Sequence, residues 1–360
     1  MTKPQYEAKD STNSPKGACR LPPVGERPLP AVIDPRRARL IRETEKKWVN
    51  GTELRYHFLA QPTAAAGPAP QRDAVRGAFA TWKELGIGLT FKEVAQASEA
   101  EIRIAFDGND GSWSYIGRDS IDLVRDPSKP TMNFGWDLTT AYGRDTALHE
   151  IGHALGFPHE HQNPNSGIVW NESAVYSYFA GSPNFWDRET TFYNIIRKLN
   201  PRDVQGGAWD RDSVMHYHFE AGLISEPQEL RDKPLVPKGG LSPTDIDEVR
   251  RFYPAIAPEL PELKVWDLQR IQLQSGGQLD WKIRPTETRA YTIQTFGALD
   301  TVMVLFEVTN DGPRYLAADD DSGTSHNAML NLRLMPGREY ILRLRLYYSD
   351  ASGGGALMMY

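Results

Sequence analysis

Apolar and polar positions alternate through ELRYHF, with Leu54, Tyr56 and Phe58 on one side, and this predicts a half-buried strand. In QRDAVRGAFATWKELG, Val75, Phe79, Trp82 and Leu85 recur at helical spacing, and Gly86 is placed to end the helix. EIRIAFDG returns to alternation through Ile102, Ile104 and Phe106, a second strand, and GSWSYIGRDS reads as an aromatic strand or edge loop. LSPTDIDEVRRFYP carries its own start and stop: Ser242 as N-cap, Pro243 at the first helical position, Asp245 three residues after the cap, Pro254 past the end. That short helix closes a domain. Pro254, Pro258 and Pro261 then mark a linker, and the texture beyond it is all-β. LDWKIRP, RAYTIQTF, TVMVLFEV, MLNLRL and EYILRLRLYY are short alternating runs between turn residues, which predicts a small β-sandwich or jelly roll.

Four segments follow: a proline-rich N-terminal extension at 1–45, a mixed domain at 46–255, a linker at 256–264 and a β domain at 265–360. A chain of 360 residues, 40% hydrophobic and 24% charged, fits two globular domains. The net charge of −6 is mixed along the chain with no basic run, which excludes a nucleic-acid binder. No stretch approaches the roughly 20 apolar residues of a membrane span, and MTKPQYEAKDSTNSPKG lacks the apolar core of a signal peptide. The single cysteine, Cys19, permits no intramolecular disulfide.

Six of the eight histidines lie between His149 and His218, and this clustering turns attention to metal. In ALHEIGHALGFPHEHQNP, His149 and His153 are one helical turn apart and project from one face. Glu150 is rotated by one residue, which suits it to a water beside the metal better than to the metal. Gly156 can end the helix in a left-handed conformation and send the chain back, returning His159 as a third ligand. Three neutral nitrogens with a fourth position open is the layout of a catalytic zinc rather than a closed structural one. The alternative is a set of ordinary surface or core histidines. His161, His216 and His218 are surplus to a completed site.

HEIGHALGFPHE resembles the long zinc signature of the metzincin metallopeptidases, and Glu160 after the third histidine is similar to the astacin branch. SVMHY at 213–217 resembles that family's methionine turn. GSWSYIGR resembles the upper rim of its cleft, KKWVNGTELRYHF the start of its mature domain, and HEHQNP its bacterial members; the likeness spans residues 46 to 254. The resemblance implies an α+β protein: a metzincin catalytic domain, with a twisted mixed sheet, an active-site helix and a zinc cleft between two subdomains, followed by an all-β sandwich. It implies a zinc endopeptidase acting on proteins or peptides, with Glu150 as general base and Met215 as an apolar base beneath the metal. Tyr217 is then a fifth zinc ligand that swings to the oxyanion; a packed aromatic is the plainer reading. The backbone of Trp113, Ser114 and Tyr115 would take an extended substrate as an added strand, unless Trp113 merely packs in the core. Family likeness points to an extracellular enzyme, while the missing signal peptide points to nonclassical export or a trimmed chain; a monomer is expected.

Cys19, in KGACRLPPVG, is open to two readings. Its thiolate could fill the fourth zinc position and keep the enzyme latent, or it is an incidental thiol in a tail. The last hundred residues resemble the pre-peptidase C-terminal β-sandwiches of bacterial proteases, auxiliary modules for attachment, secretion or folding. Asp319, Asp320 and Asp321 are either a calcium site or a solvated turn. A noncatalytic adhesion protein with a relic zinc domain is the competing function.

Overall fold

The computed structural model describes residues 17–24, 46–48, 50–199, 208–256, 259–274, 277–309, 312–347 and 352–360. Most of the N-terminal extension therefore lies outside the described residues. The first half is built on a five-stranded sheet of β1 Glu53–Phe58, β2 Thr90–Glu93, β3 Ile102–Ala105, β4 Trp113–Ser114 and β5 Met132–Asn133, in the order β2-β1-β3-β5-β4. Strands β1, β2, β3 and β5 run parallel, and β4 is antiparallel on the edge. Leu54, Tyr56 and Phe58 are buried and alternate with half-exposed neighbours, as their spacing predicts.

Helix Ala69–Glu84 lays Val75, Phe79 and Trp82 against this sheet, with the Tyr56 and Phe79 rings stacked at 4.3 Å. A second long helix, Ala141–Ala154, packs beside it, and Trp82 Nε1 donates to the Leu148 carbonyl. The core fuses both helices with the sheet through Leu54, Ile104, Met132, Ile151 and Met215. A separate apolar cluster, containing Val175, Phe179, Trp186, Ile195 and Phe219, lies across the cleft. The short antiparallel pair β6 Val169–Trp170 and β7 Ile224–Glu226 adds Trp170 and Ile224 to it. The helix Pro243–Phe252 begins with a complete capping box, Ser242 and Asp245 bonding each other's backbone N–H.

The C-terminal part is a sandwich of eight antiparallel strands. Sequence reading finds five of them, β9 Gln278–Ile283, β10 Arg289–Gly297, β11 Thr301–Thr309, β13 Met329–Leu334 and β14 Tyr340–Leu346. It misses β8 Gln269–Leu273, β12 Gly312–Asp319 and β15 Gly353–Met359. They form two four-stranded sheets, β13-β10-β15-β8 and β12-β11-β14-β9, enclosing Ile271, Trp281, Tyr291, Leu305, Leu342 and Leu357. Asp319 accepts from the Ser322 and Met329 backbones and the Ser322 hydroxyl, which ties the turn after β12 to the start of β13. The sandwich touches the first half where Arg343 and Gln278 both donate to the Asn50 carbonyl. Among the described residues no helix is long and apolar enough to cross a membrane.

Candidate active site

The helix Ala141–Ala154 starts at Thr140, whose hydroxyl accepts from the Gly143 N–H. Its end is a full Schellman turn: Gly156, at φ 107°, donates to the His153 carbonyl, and Phe157 donates to Gly152. A residue with a Cβ adopts that φ only with strain. The turn reverses the chain, and His159 comes back beside the helix with its ring centroid 4.6 Å from that of His153.

Two backbone carbonyls, one from this turn and one from the SVMHY turn, fix the tautomers. His153 Nδ1 lies 2.7 Å from the Phe157 carbonyl oxygen, and His149 Nδ1 lies 2.7 Å from that of Val214. A carbonyl only accepts, so each Nδ1 carries the proton and each Nε2 presents a lone pair. Val214 is itself held: its N–H and the Ser213 hydroxyl both donate to Asp245, the carboxylate that caps the last helix. Asp245 thus serves the helix and the SVMHY turn together, a role the sequence reading, which sees only the cap, does not find. Met215 follows and packs under the helix at Gly152.

Residues Gly17–Leu21 run through the cleft. Arg20 N–H donates to the Ser112 carbonyl on the edge of the sheet, and Ala18 and Leu21 N–H donate to the side chains of Asn184 and Asn194, each at 2.9 Å. The Tyr217 hydroxyl donates to the Cys19 carbonyl, and Tyr142 donates to that of Gly17. Cys19 is buried, and its thiol donates to Glu150 Oε2 at 3.4 Å. The cleft opens beside this segment as a cavity of about 1070 Å³ lined by Trp136, Tyr142, Arg144, His216 and Val236.

The ligand atoms of Cys19, His149, His153 and His159 all lie within 4.8 Å of one another, and every one of these residues is buried. His153 Nε2 and His159 Nε2 face each other at 3.0 Å, and His149 Nε2 is buried with no hydrogen-bond partner. Converging lone pairs in a dry pocket call for a cation, and three imidazoles with a thiolate are zinc's preferred donors. Burial lowers the His149 pKa to about 4 and takes those of His153 and His159 well below the usual range, their histidine neighbours adding. All three are neutral and competent as ligands. Burial raises Glu150 to about 8, opposed by its bond to Cys19, and raises the Cys19 thiol well up, Glu150's charge adding. Buried in this way, Tyr217 stays protonated, a donor.

The remaining predicted residues divide. His161 Nε2 bonds the Asn194 carbonyl, His216 Nδ1 that of Tyr217 and His218 Nε2 the Glu220 carboxylate, so all three lie outside the cluster. Glu160, which burial raises to about 7, accepts from Asn163 and the Asp210 N–H. Trp113 and Ser114 are buried on the edge strand, but the Tyr115 N–H is taken by the Thr131 carbonyl. The edge group that meets the segment is the Ser112 carbonyl, one residue before the edge strand, which accepts from the Arg20 N–H. Asn184 and Asn194 escape sequence reading altogether, since an amide that serves backbone leaves no spacing signal.

The family model Astacin, which describes a family of peptidases, matches residues 40–230, a little over half of the 360. Zinc metalloproteinase nas-3 of Caenorhabditis elegans is 30% identical over 145 residues, covering 39% of this chain and 40% of that protein. Karilysin of Tannerella forsythia is 29% identical over 157 residues, covering 38% and 29%. The match thus spans less than half the length of these curated relatives. Among solved structures, myroilysin is 30% identical with a TM-score of 0.53, covering 60% of this chain and 98% of its own.

Proposed function

The chain belongs to the astacin family of peptidases, and on that premise we propose that it is a zinc-dependent metalloendopeptidase held latent by Cys19. One observation carries the reading: the Cys19 thiol completes a buried cluster with His149, His153 and His159 while also touching Glu150. Zinc bound there supplies a Lewis acid that polarises a peptide carbonyl and lowers the pKa of a water.

The chain's own residues do the rest. His149, His153 and His159 hold the ion, their rings oriented by the Val214 and Phe157 carbonyls. Glu150 takes the proton of the attacking water and returns it to the leaving amine. The Tyr217 hydroxyl, which donates to the Cys19 carbonyl, would donate in the same way to the oxygen of the carbonyl under attack. Met215 supports the site by packing. Extended substrate pairs with the edge at Ser112 once residues 17–21 have left. The peptidase unit is taken as 46–255 and the sandwich from 265 onward as an auxiliary module; calcium at Asp319–Asp321 has no part in this reading.

In the Cys19→Ser background, Glu150→Ala should keep stoichiometric zinc by elemental analysis and lose casein hydrolysis by roughly 10²- to 10⁴-fold. Chelation should abolish cleavage by Cys19→Ser and zinc restore it. Near-normal hydrolysis by Glu150→Ala would overturn the mechanism.

A further inference from the structure

Residues 17–21 occupy the cleft as a peptide, so their contacts are a cast of what the cleft accepts. Two backbone contacts align the cast with the proposed chemistry. The Cys19 carbonyl receives the Tyr217 hydroxyl, and the next N–H, that of Arg20, pairs with Ser112 on the edge strand. The Arg20 side chain therefore projects where the residue flanking the bond to be cut would project.

It meets Asp110, at 2.8 Å from Nη2 to Oδ1. The other oxygen of Asp110 accepts from Trp113 Nε1, also at 2.8 Å, so the carboxylate keeps its position when Arg20 leaves. Asp110 is thus the carboxylate that meets this guanidinium. Leu21, one residue on, is buried in the apolar cluster that holds Phe179, Trp186 and Ile195.

We propose that Asp110, fixed by Trp113, is a specificity-determining residue that selects substrates with an arginine or lysine directly beside the scissile bond. This rests on the peptidase reading above. Both partners are nearly half exposed, at 45% and 43%, so the discrimination is modest. An ion pair of this exposure is worth roughly a threefold preference, felt in KM more than in kcat because the contact exists before the transition state.

The test uses the full-length Cys19→Ser protein, loaded with zinc and incubated until its mass is constant. Its substrates are peptides that differ only in bearing Arg, Ala or Glu on either flank of one cleavable bond. The Arg peptide should exceed the Ala peptide in kcat/KM on one flank, and Asp110→Lys in the same background should invert the order in favour of Glu. A purely structural role for Asp110 would lower all three together and leave the order intact. Cleavage without an Arg preference, or with one that Asp110→Lys does not move, overturns the subsite and leaves the peptidase standing. No cleavage of any peptide by either form overturns the peptidase reading and the subsite with it.

Discussion

The Sγ of Cys19 lies 3.4 Å from Oε2 of Glu150, although 131 residues separate them in sequence. On the proposed reading, a thiol there would claim both the fourth metal position and the general base, and a substrate's water and carbonyl would reach neither. Removing the sulfur weakens the segment's hold on the metal while leaving its backbone contacts to Ser112, Asn184 and Asn194. Full-length Cys19→Ser should therefore hydrolyse a quenched peptide faster than wild type by at least roughly tenfold, for a loss of about 1.4 kcal/mol in the segment's binding. Initial rates taken with intact mass decide it; equal rates for the two proteins would remove Cys19 from regulation.

Tyr217 has a double engagement, with its hydroxyl on the Cys19 carbonyl and 2.7 Å from His159 Nε2. Tyr217→Phe keeps the ring among His159, His161 and Phe219 and loses only the donor. In the Cys19→Ser background it should lower kcat on the order of a hundredfold with KM little changed, the signature of a contact made in the transition state. A rise in KM at constant kcat would make Tyr217 a packing residue.

What the sequence made legible follows the range of the interaction. His149, His153 and Gly156 belong to one helix and its cap, where spacing alone sets geometry, and His159 follows from the turn. Leu54, Tyr56 and Phe58 were readable because alternation and burial coincide in β1. The seat of Cys19 was not, since it depends on side chains far along the chain, Asn184 and Asn194, whose amides meet its neighbours' backbone. In the sandwich, β15 hid behind Gly353–Gly355, residues ordinarily depleted from strands. β8 hid because only Ile271 and Leu273 of QRIQL are buried, too short a run to stand out.

Gly152 shows how tightly the methionine turn is fitted. A Cβ there would stand 2.4 Å from Met215 Sδ and 3.5 Å from Trp82. Alanine favours a helix by up to about 1 kcal/mol over glycine, but here Met215 must move away from the helix at Gly152. Overpacking of this kind costs about 1–3 kcal/mol, so Gly152→Ala should be destabilised on balance in chemical denaturation. The variant should also bind zinc more weakly. Restored stability in Gly152→Ala with Met215→Ala would trace the loss to this contact.

Lys47 makes one separable contribution to the pH dependence of stability. Its ammonium lies 4.3 Å from the centre of the Phe252 ring at 6% exposure, and burial, with the Arg345 charge adding, lowers its pKa from 10.5 to about 7. The folded state therefore prefers the neutral amine. Between pH 7 and 10.5 the unfolded chain holds a proton at Lys47 that the folded chain has released, so the Lys47 contribution to stability rises with pH across that window. Below pH 7 both states are protonated and the full penalty of burying the charge remains. The slope is about 1.4 kcal/mol per pH unit within the window. Lys47→Met keeps the apolar stem over Phe252 and removes the titration. The variant should be more stable than wild type at pH 7, and its advantage should shrink steadily toward pH 10. Denaturant midpoints for the two proteins at pH 7, 8 and 9 measure it, and a constant difference would mean that Lys47 carries its charge in the folded state throughout.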